Sequence, residues 1–160
     1  MVRNLKLKEL LNKFNIKLKF TVPFMEAEIE FSDADKDAAW EMYIELMTRC
    51  ATRKLKDDEG DNQEALDSLH ELFGITREIL KKYKCNCVNF SKIAISVLNQ
   101  HIRPFVSKWH KYNLDNQPDV NSWGNFREEL AELQTALKGY TALLADMAGV
   151  EDFSNINDDI

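Results

Sequence analysis

The feature that most constrains this chain is a run of apolar residues near its carboxyl end, spaced three and four apart over three heptads. Its members are Trp123, Phe126, Leu130, Leu133, Leu137, Tyr140, Leu144 and Met147. That period places them on one face of an α-helix, which must be buried against other elements. Gly149 follows where a left-handed C-cap is expected, and Val150 is placed for the hydrophobic contact that usually accompanies it. We therefore predict a long amphipathic helix ending near Met147.

Two more amphipathic helices are predicted in the first half of the chain. The run Ser32-Asp33-Ala34-Asp35 offers N-caps and first-turn carboxylates for a helix running to about Leu55. Its predicted apolar stripe is Trp40, Ile44, Met47 and Ala51. Asp61 and Glu64 resemble a capping box for the next helix. Its predicted buried side is Leu66, Leu69, Phe73, Leu80 and Tyr83.

A third helix is predicted from about Phe90 to Tyr112, with Pro104 inside it. Proline removes a backbone donor and clashes with the preceding turn, so we expect a kink or break near Arg103. Four amphipathic helices joined by short connections indicate an antiparallel four-helix bundle. The predicted fold class is therefore mainly α, and a shorter helix is expected over Leu5 to Phe14.

A β-hairpin is predicted ahead of the bundle, over residues 16–31, because apolar and charged residues alternate on both sides of Pro23 and Phe24. Pairing of Val22 with Met25 would place the apolar residues on one face. The same register pairs opposite charges across the strands: Lys17 with Glu30, and Lys19 with Glu28. Two strands alone are marginal in water and leave both edges open. These four charged residues are therefore the predicted interaction surface.

The length of 160 residues predicts one domain over residues 1–150, with the hairpin at 16–31, the bundle at 33–150 and a flexible acidic tail at 151–160. A mean hydropathy of -0.42 and the lack of an apolar run near ~20 residues argue against a membrane span. Three cysteines, Cys50, Cys85 and Cys87, are an odd number, which favours reduced thiols and a cytoplasmic location. Two of them form the Cys85-Asn86-Cys87 pair, too few ligands for a structural metal site, so no metal or other cofactor is predicted.

The string from Leu98 to His110 contains Leu98-Asn99, Arg103-Pro104-Phe105 and Lys108-Trp109-His110. With Phe126-Arg127-Glu128-Glu129-Leu130 and Ala148-Gly149-Val150, it resembles a family of uncharacterised bacterial helical proteins in which such a run recurs. The resemblance covers about residues 35–150 and leaves the hairpin outside. It implies a helical fold and a bacterial source, and it brings no activity with it.

Arg103 and His110 are separated by six residues, which also satisfies the arginine-to-histidine spacing of the HEPN ribonucleases. Seven helical positions advance about 700°, about 20° short of two turns, so the two side chains would share a face. Histidine can move the 2′-hydroxyl proton of RNA while arginine stabilises the phosphorane charge. HEPN motifs usually carry a polar residue after the arginine, whereas this chain has Pro104.

Residues 85–113 carry four cations and no carboxylate, within a chain of net charge -6. A helix restarting after Pro104 would free backbone amides near Phe105 to Ser107, where an anion could bind. The candidate anion-binding residues are Arg103, Lys108, His110 and Lys111. The competing interpretation is that these cations face carboxylates of the last helix, Glu128, Glu129 and Glu132.

A non-enzymatic helical module that acts through a protein partner or through self-association is the function we favour from sequence. The alternative is a metal-independent ribonuclease or a nucleotide- or phosphate-binding domain that uses the face from Arg103 to His110. Discriminating the two requires the spatial arrangement of that face.

Overall fold

The computed structural model describes residues 5–18, 24–49, 62–116 and 125–154. Its elements in chain order are β1 (Leu5–Lys6), α1 (Leu7–Lys13), β2 (Glu28–Ile29), α2 (Asp33–Met47), α3 (Asn62–Tyr83), α4 (Val88–Val97), α5 (Arg103–Asn116) and α6 (Phe126–Ala148). The prediction of a mainly helical chain with an N-terminal antiparallel strand pair is confirmed. None of the described helices combines the length and apolar content needed to cross a membrane.

The predicted four-helix bundle is not confirmed, because α1 is a fifth helical body in the same core. Leu7, Leu10 and Leu11 of α1 are each at most 2% exposed and belong to the core cluster of the longer helices. The other bodies are α2, α3, the continuous α4–α5 rod and α6. The most extensive packing joins α2 to α6, and the largest fully buried side chains include Tyr43 and Tyr140 from these two helices.

The strand pair differs from the predicted hairpin in its partners. β1 pairs with β2 in an antiparallel register, with Leu5 opposite Ile29 and Lys6 opposite Glu28. Helix α1 lies between the two strands in sequence, and residues 16–18 form no strand. The predicted cross-strand pair of Glu30 with Lys17 is therefore wrong. Glu28 faces Lys6, and Lys19 lies outside the described residues.

The first backbone amides of α1 explain this pairing. A helix leaves its first amides without intrahelical partners. Here the amide of Leu7 donates to the carbonyl of Ala27 and that of Lys8 to the carbonyl of Met25, both at 3.0 Å. The 25–27 segment thus caps α1. An ion pair still joins the two segments, but other residues form it: Lys6 pairs with Glu26 at 3.3 Å.

Helix α2 begins at the predicted N-cap, where Ser32 and the residue three positions on, Asp35, form a reciprocal capping box. Its buried face is rotated from the predicted stripe. The buried apolar side chains are Ala38, Ala39, Met42, Tyr43 and Leu46. Trp40, predicted to be core, is 44% exposed, and Ala51 lies outside the described residues. Small residues allow α2 to approach its neighbours closely, which leaves the indole outside.

Pro104 does not break the predicted third helix. A π-helical turn over Leu98–Ile102 joins α4 to α5, and the Arg103 amide donates to the carbonyl of Leu98, five residues back. Such a turn inserts an extra residue and absorbs the missing proline donor locally. The helix therefore continues, and the predicted free amides at Phe105 to Ser107 lie inside it instead of at a new start.

The end of α6 matches the prediction. Gly149 adopts the left-handed conformation, with φ of 73°, and Val150 donates its amide to the carbonyl of Ala145. In the tail predicted over 151–160, residues 151–154 contact α2: the Tyr43 hydroxyl accepts the amide of Phe153 at 2.6 Å. Residues 155–160 lie outside the described part of the chain, as do Asp61, Trp123 and residues 50–60.

Candidate functional site

A cleft of ≈ 1190 Å³ lies between α2, α3 and α5. We call it the α2–α3–α5 cleft. Helix α2 contributes Trp40, Glu41, Ile44 and Glu45, with Arg49 just beyond its end; α3 contributes His70, Glu71, Phe73, Gly74, Ile75, Arg77, Glu78, Ile79 and Lys82; α5 contributes Arg103, Val106, Ser107 and His110. The cleft therefore combines apolar, aromatic and charged groups from three rigid elements.

Two ion-pair clusters join the α2 and α3 walls. Near one end, the Arg49 guanidinium bonds to Glu45 at 3.0 Å and also to Glu71. Near the other end, Lys82 pairs with Glu41. The partner of Glu41 comes later in α3 than the partner of Arg49, so the two helices run antiparallel. The paired clusters fix the spacing of these walls.

The carboxylate of Glu41 is held in its charged form. Its pKa is lowered even though burial, the largest single influence, acts to raise it. The hydrogen bonds from Lys82 and from the Tyr83 hydroxyl, the latter at 2.8 Å, together outweigh that effect. The same contacts raise the pKa of Lys82. Glu41 and Lys82 therefore neutralise each other, which makes them weak partners for a charged ligand.

The α5 wall holds Arg103 and His110, the two candidate catalytic residues of the ribonuclease alternative. Arg103 and His110 are exposed and line the same cleft, with Ser107 between them. The Arg103 guanidinium carbon lies 4.8 Å from the centre of the Phe73 ring. Its Nε donates to Asn99 Oδ1 at 3.1 Å. Stacking and this hydrogen bond orient the guanidinium over the cleft wall.

Some charged side chains of the cleft form ion pairs and others do not; we call the second set uncommitted. Glu41, Glu45 and Glu71 are bound by Lys82 or Arg49. Among the described residues, no ion pair within 4.0 Å is formed by Arg77, Glu78 or Arg103. The uncommitted groups are therefore two guanidiniums and one carboxylate, beside the imidazoles of His70 and His110.

The four predicted anion-binding residues do not form one site. Arg103 and His110 line the cleft, whereas Lys108 pairs with Glu129 of α6 and Lys111 is exposed away from the cleft lining. Trp109 Nε1 donates to the same carboxylate at 2.8 Å. For Lys108, the competing interpretation is correct, because the cation neutralises the last helix. The smaller cavity there, ≈ 360 Å³, contains this pair and half-buried His101.

Glu129 is stabilised in the same manner as Glu41. Burial, the largest influence, would raise its pKa, but the hydrogen bonds from Lys108 and Trp109 lower it overall. Its contacts with α5 fasten α6 to the α4–α5 rod. Phe126, one turn earlier, lies 5.2 Å from both Phe105 and Trp109 between ring centres. This end of the rod is therefore structural.

The predicted interaction residues are dispersed. Lys17, Glu28 and Glu30 are exposed, and Lys19 lies outside the described residues. The Glu30 carbonyl accepts from Asn89 Nδ2 at 2.6 Å, which ties this segment to the start of α4. The strand pair is thus attached to the helical body through α1 and α4.

Metal-ligating side chains do not cluster in the described ranges, where no group of three or more His, Cys, Asp or Glu is placed to hold an ion. Cys85 is exposed and Cys87 is buried, with the Cys87 Sγ 3.6 Å from Ser91 Oγ. Cys50 lies outside the described residues.

Sequence reasoning missed Trp40, Phe73 and Arg77 as site residues. Trp40 was assigned to the core because it falls on an apolar stripe of α2. A signal was available in the adjacent Ala38-Ala39 pair, since small residues mark the side of a helix that packs closely. Phe73 and Arg77 are four positions apart in α3 and so share a face, but nothing local indicates that α5 lies across from them.

Comparison with family models, with curated proteins and with solved structures found no match to this chain. The resemblance to a bacterial helical family stays a prediction. The function must therefore be argued from the cleft itself.

Proposed function

We propose that this protein is a non-enzymatic binding module whose α2–α3–α5 cleft receives a segment of a partner protein. The observation that carries the proposal is the exposure of Trp40, 44%, in a cleft whose other walls hold the uncommitted guanidiniums of Arg77 and Arg103. Tryptophan and arginine are the residue types most enriched among those that dominate protein–protein binding energy. Large aromatic surface beside arginine is typical of such a binding site.

The dimensions of the cleft support a polypeptide ligand. Its α3 wall runs from His70 to Lys82, which at about 1.5 Å per residue is about 18 Å. Pockets for single small molecules typically measure about 300–1,000 Å³. A cleft of ≈ 1190 Å³ is larger than that range and suits three turns of a helix or a short peptide.

Site-specific photo-crosslinking tests this proposal. A photoreactive amino acid at Ser107, exposed in the cleft, is compared with one at Val88, 50% exposed on α4 and outside the cleft lining. We expect a protein adduct from the Ser107 position that Val88 does not give. The identified protein, purified, should then bind the unmodified chain, and Trp40→Ala should weaken that binding at least tenfold. No adduct, or the same adducts from both positions, would contradict the proposal.

Self-association is the other form that partner binding can take. Light scattering separates the two, because a chain that binds a different protein has a solution mass near 18.6 kDa on its own. A stable dimer that is lost in Trp40→Ala would identify the partner as a second copy.

A ribonuclease is the second candidate function, favoured by the observation that Arg103 and His110 line one cleft. His110 would take the 2′-hydroxyl proton as the 2′ oxygen attacks phosphorus and the 5′ oxygen leaves. Arg103 would stabilise the charge on the phosphorane. Four glutamates on the α2 and α3 walls offset the four cations of the cleft, Arg49, Arg77, Lys82 and Arg103, so the lining lacks the excess positive charge that binds a polyphosphate chain and this candidate ranks second.

The ribonuclease candidate has a direct assay. The purified protein is incubated with mixed RNA and a metal chelator, beside Arg103→Ala and His110→Ala. Cleavage that both substitutions abolish would support it. Cleavage that survives either substitution, or no cleavage, would remove it.

A further inference from the structure

We infer that the ligand of the α2–α3–α5 cleft is an amphipathic helix that carries one or two carboxylates on the side facing Arg77 and Arg103. This inference rests on the proposed function and adds the chemistry of the partner. Three properties of the cleft lead to it: the charges that remain uncommitted, the negative groups that line it, and the absence of strand edges among its lining residues.

The uncommitted charges favour a ligand with carboxylates. Glu41, Glu45 and Glu71 already bind Lys82 or Arg49, so the groups left for a ligand are Arg77, Arg103 and Glu78. A guanidinium has five N–H donors, and the one described hydrogen bond of Arg103 uses only its Nε. Its terminal nitrogens match the two oxygens of a carboxylate, and stacking on Phe73 keeps them oriented.

The negative groups of the cleft disfavour a polyanion. A nucleic-acid strand brings one phosphate with every nucleotide along the whole cleft, whereas the four cations of the lining are offset by four glutamates and leave no excess positive charge to neutralise those phosphates. A peptide helix places carboxylates only at chosen positions and presents neutral side chains elsewhere. Isolated carboxylates can therefore meet Arg77 and Arg103 without meeting Glu41 or Glu45.

The backbone of the cleft favours a helix over an extended peptide. Every described lining residue lies in or directly beside a helix, where backbone donors and acceptors are already used within the element. An extended peptide would find no strand edge with which to pair its own amides and carbonyls, whereas a helix satisfies them internally. Three turns cover about 16 Å, close to the length of the α3 wall. Apolar residues of that helix would contact Trp40, Ile44 and Val106.

The test uses a displayed library of 16-residue amphipathic helices as the probe. Apolar positions vary among Leu, Ile, Met, Phe and Trp, and polar positions vary among Glu, Gln, Lys and Arg. The selected sequence is synthesised with its Glu residues intact and with each replaced by Gln. Binding to the purified full chain is measured by fluorescence anisotropy at low and moderate salt.

We expect selection of Glu-containing helices whose binding is lost in Trp40→Ala. An Arg77→Gln, Arg103→Gln double variant should weaken the Glu peptide about five- to thirtyfold, as expected for two partly screened ion pairs. It should change binding of the Gln peptide less than twofold. The matched control, Lys81→Gln with Lys111→Gln, removes two exposed cations outside the cleft lining and should leave both peptides unaffected. Circular dichroism establishes that each variant is folded.

Three results would overturn the inference. Selected helices that require Trp40 but prefer Gln or Lys would contradict the carboxylate while leaving the cleft as a partner site. A library that yields no Trp40-dependent binder would contradict the helix, and the crosslinking from Ser107 would then decide the proposed function separately. Binding of a 12-nucleotide RNA that the Arg77, Arg103 double variant abolishes would assign the cleft to nucleic acid instead.

Discussion

The Asp35 carboxylate links the starts of two helices, because its Oδ1 accepts the amide of Phe90 at 2.9 Å. Its other oxygen accepts the amide of Ser32 at 3.0 Å, closing the capping box of α2. Phe90 lies in the first turn of α4, where Cys87, at the N-cap, makes no side-chain capping bond. A residue of α2 therefore supplies the cap that α4 lacks. This bond holds the α4–α5 rod beside α2, the geometry on which the α2–α3–α5 cleft depends.

Asp35→Ala should destabilise the protein by about 2–4 kcal/mol. The substitution removes the acceptor of a capping box, worth about 0.5–2 kcal/mol, and leaves the buried Phe90 amide without its acceptor, worth about 1–3 kcal/mol. Urea unfolding measures the change. The control is Asp33→Ala, an exposed carboxylate in the same first turn, which should cost less than about 1 kcal/mol. Equal effects of the two substitutions would contradict the role of Asp35.

Gly139 and Gly74 form a matched pair of helical glycines with opposite surroundings. A Cβ at Gly139 would overlap the backbone oxygen of Phe14, whereas one at Gly74 would have no neighbour within 4 Å. Gly139→Ala should therefore cost about 1–3 kcal/mol, as the end of α1 is pushed from α6. Gly74→Ala should stabilise α3 by about 0.5–1 kcal/mol. Thermal unfolding compares them, and stabilisation by both would refute the contact.

Glu129 should make stability depend on acid pH. Because its folded-state pKa is lowered, its contribution is complete above the unfolded-state pKa, about 4.3. That contribution is lost as pH falls through the lower folded-state value. Glu129→Gln should be less stable than the native chain by ~1 kcal/mol at pH 7. The difference should shrink in urea titrations toward pH 3, and a difference independent of pH would contradict this.

Tyr43 should anchor the segment that follows α6. Burial raises the pKa of its hydroxyl most, and the neighbouring Asp152 raises it further. Tyr43→Phe removes the acceptor of the Phe153 amide and should cost ~1 kcal/mol. Hydrogen exchange at that amide should accelerate at least fivefold while the core amides of α6 change in proportion to global stability alone. Unchanged protection at Phe153 would show that the hydroxyl is not the anchor.

Much of the fold was predictable because its signals are local. The apolar period of α6, its Gly149 cap and the N-cap of α2 depend on residues a few positions apart, and each is confirmed. The predicted partner of β2 was wrong because the strand that pairs with it, β1, precedes α1 in the sequence. Residues 16–22 alternate as a strand would, but the amides of α1 determine where the 25–27 segment lies.

The candidate site was only half predictable for the same reason. Helical spacing correctly placed Arg103 and His110 on one face. It could not show that Lys108 pairs with Glu129, 21 positions away, or that Phe73 lies under Arg103. The π-helical turn that carries Pro104 without a break also depends on packing along the rod. Such long-range relationships arise from packing of whole helices.

An NMR titration of the ¹⁵N-labelled full chain with the selected Glu-containing helix tests the central claim most directly. The account predicts saturable shifts at the Trp40 indole, at the Arg103 Nε and along residues 70–82. Amides around Val88 and Ile95, exposed apolar residues of α4 that do not line the cleft, should not shift. Shifts centred on those residues or on β1 and β2, with Trp40 unaffected, would contradict the assignment of the α2–α3–α5 cleft as the binding site.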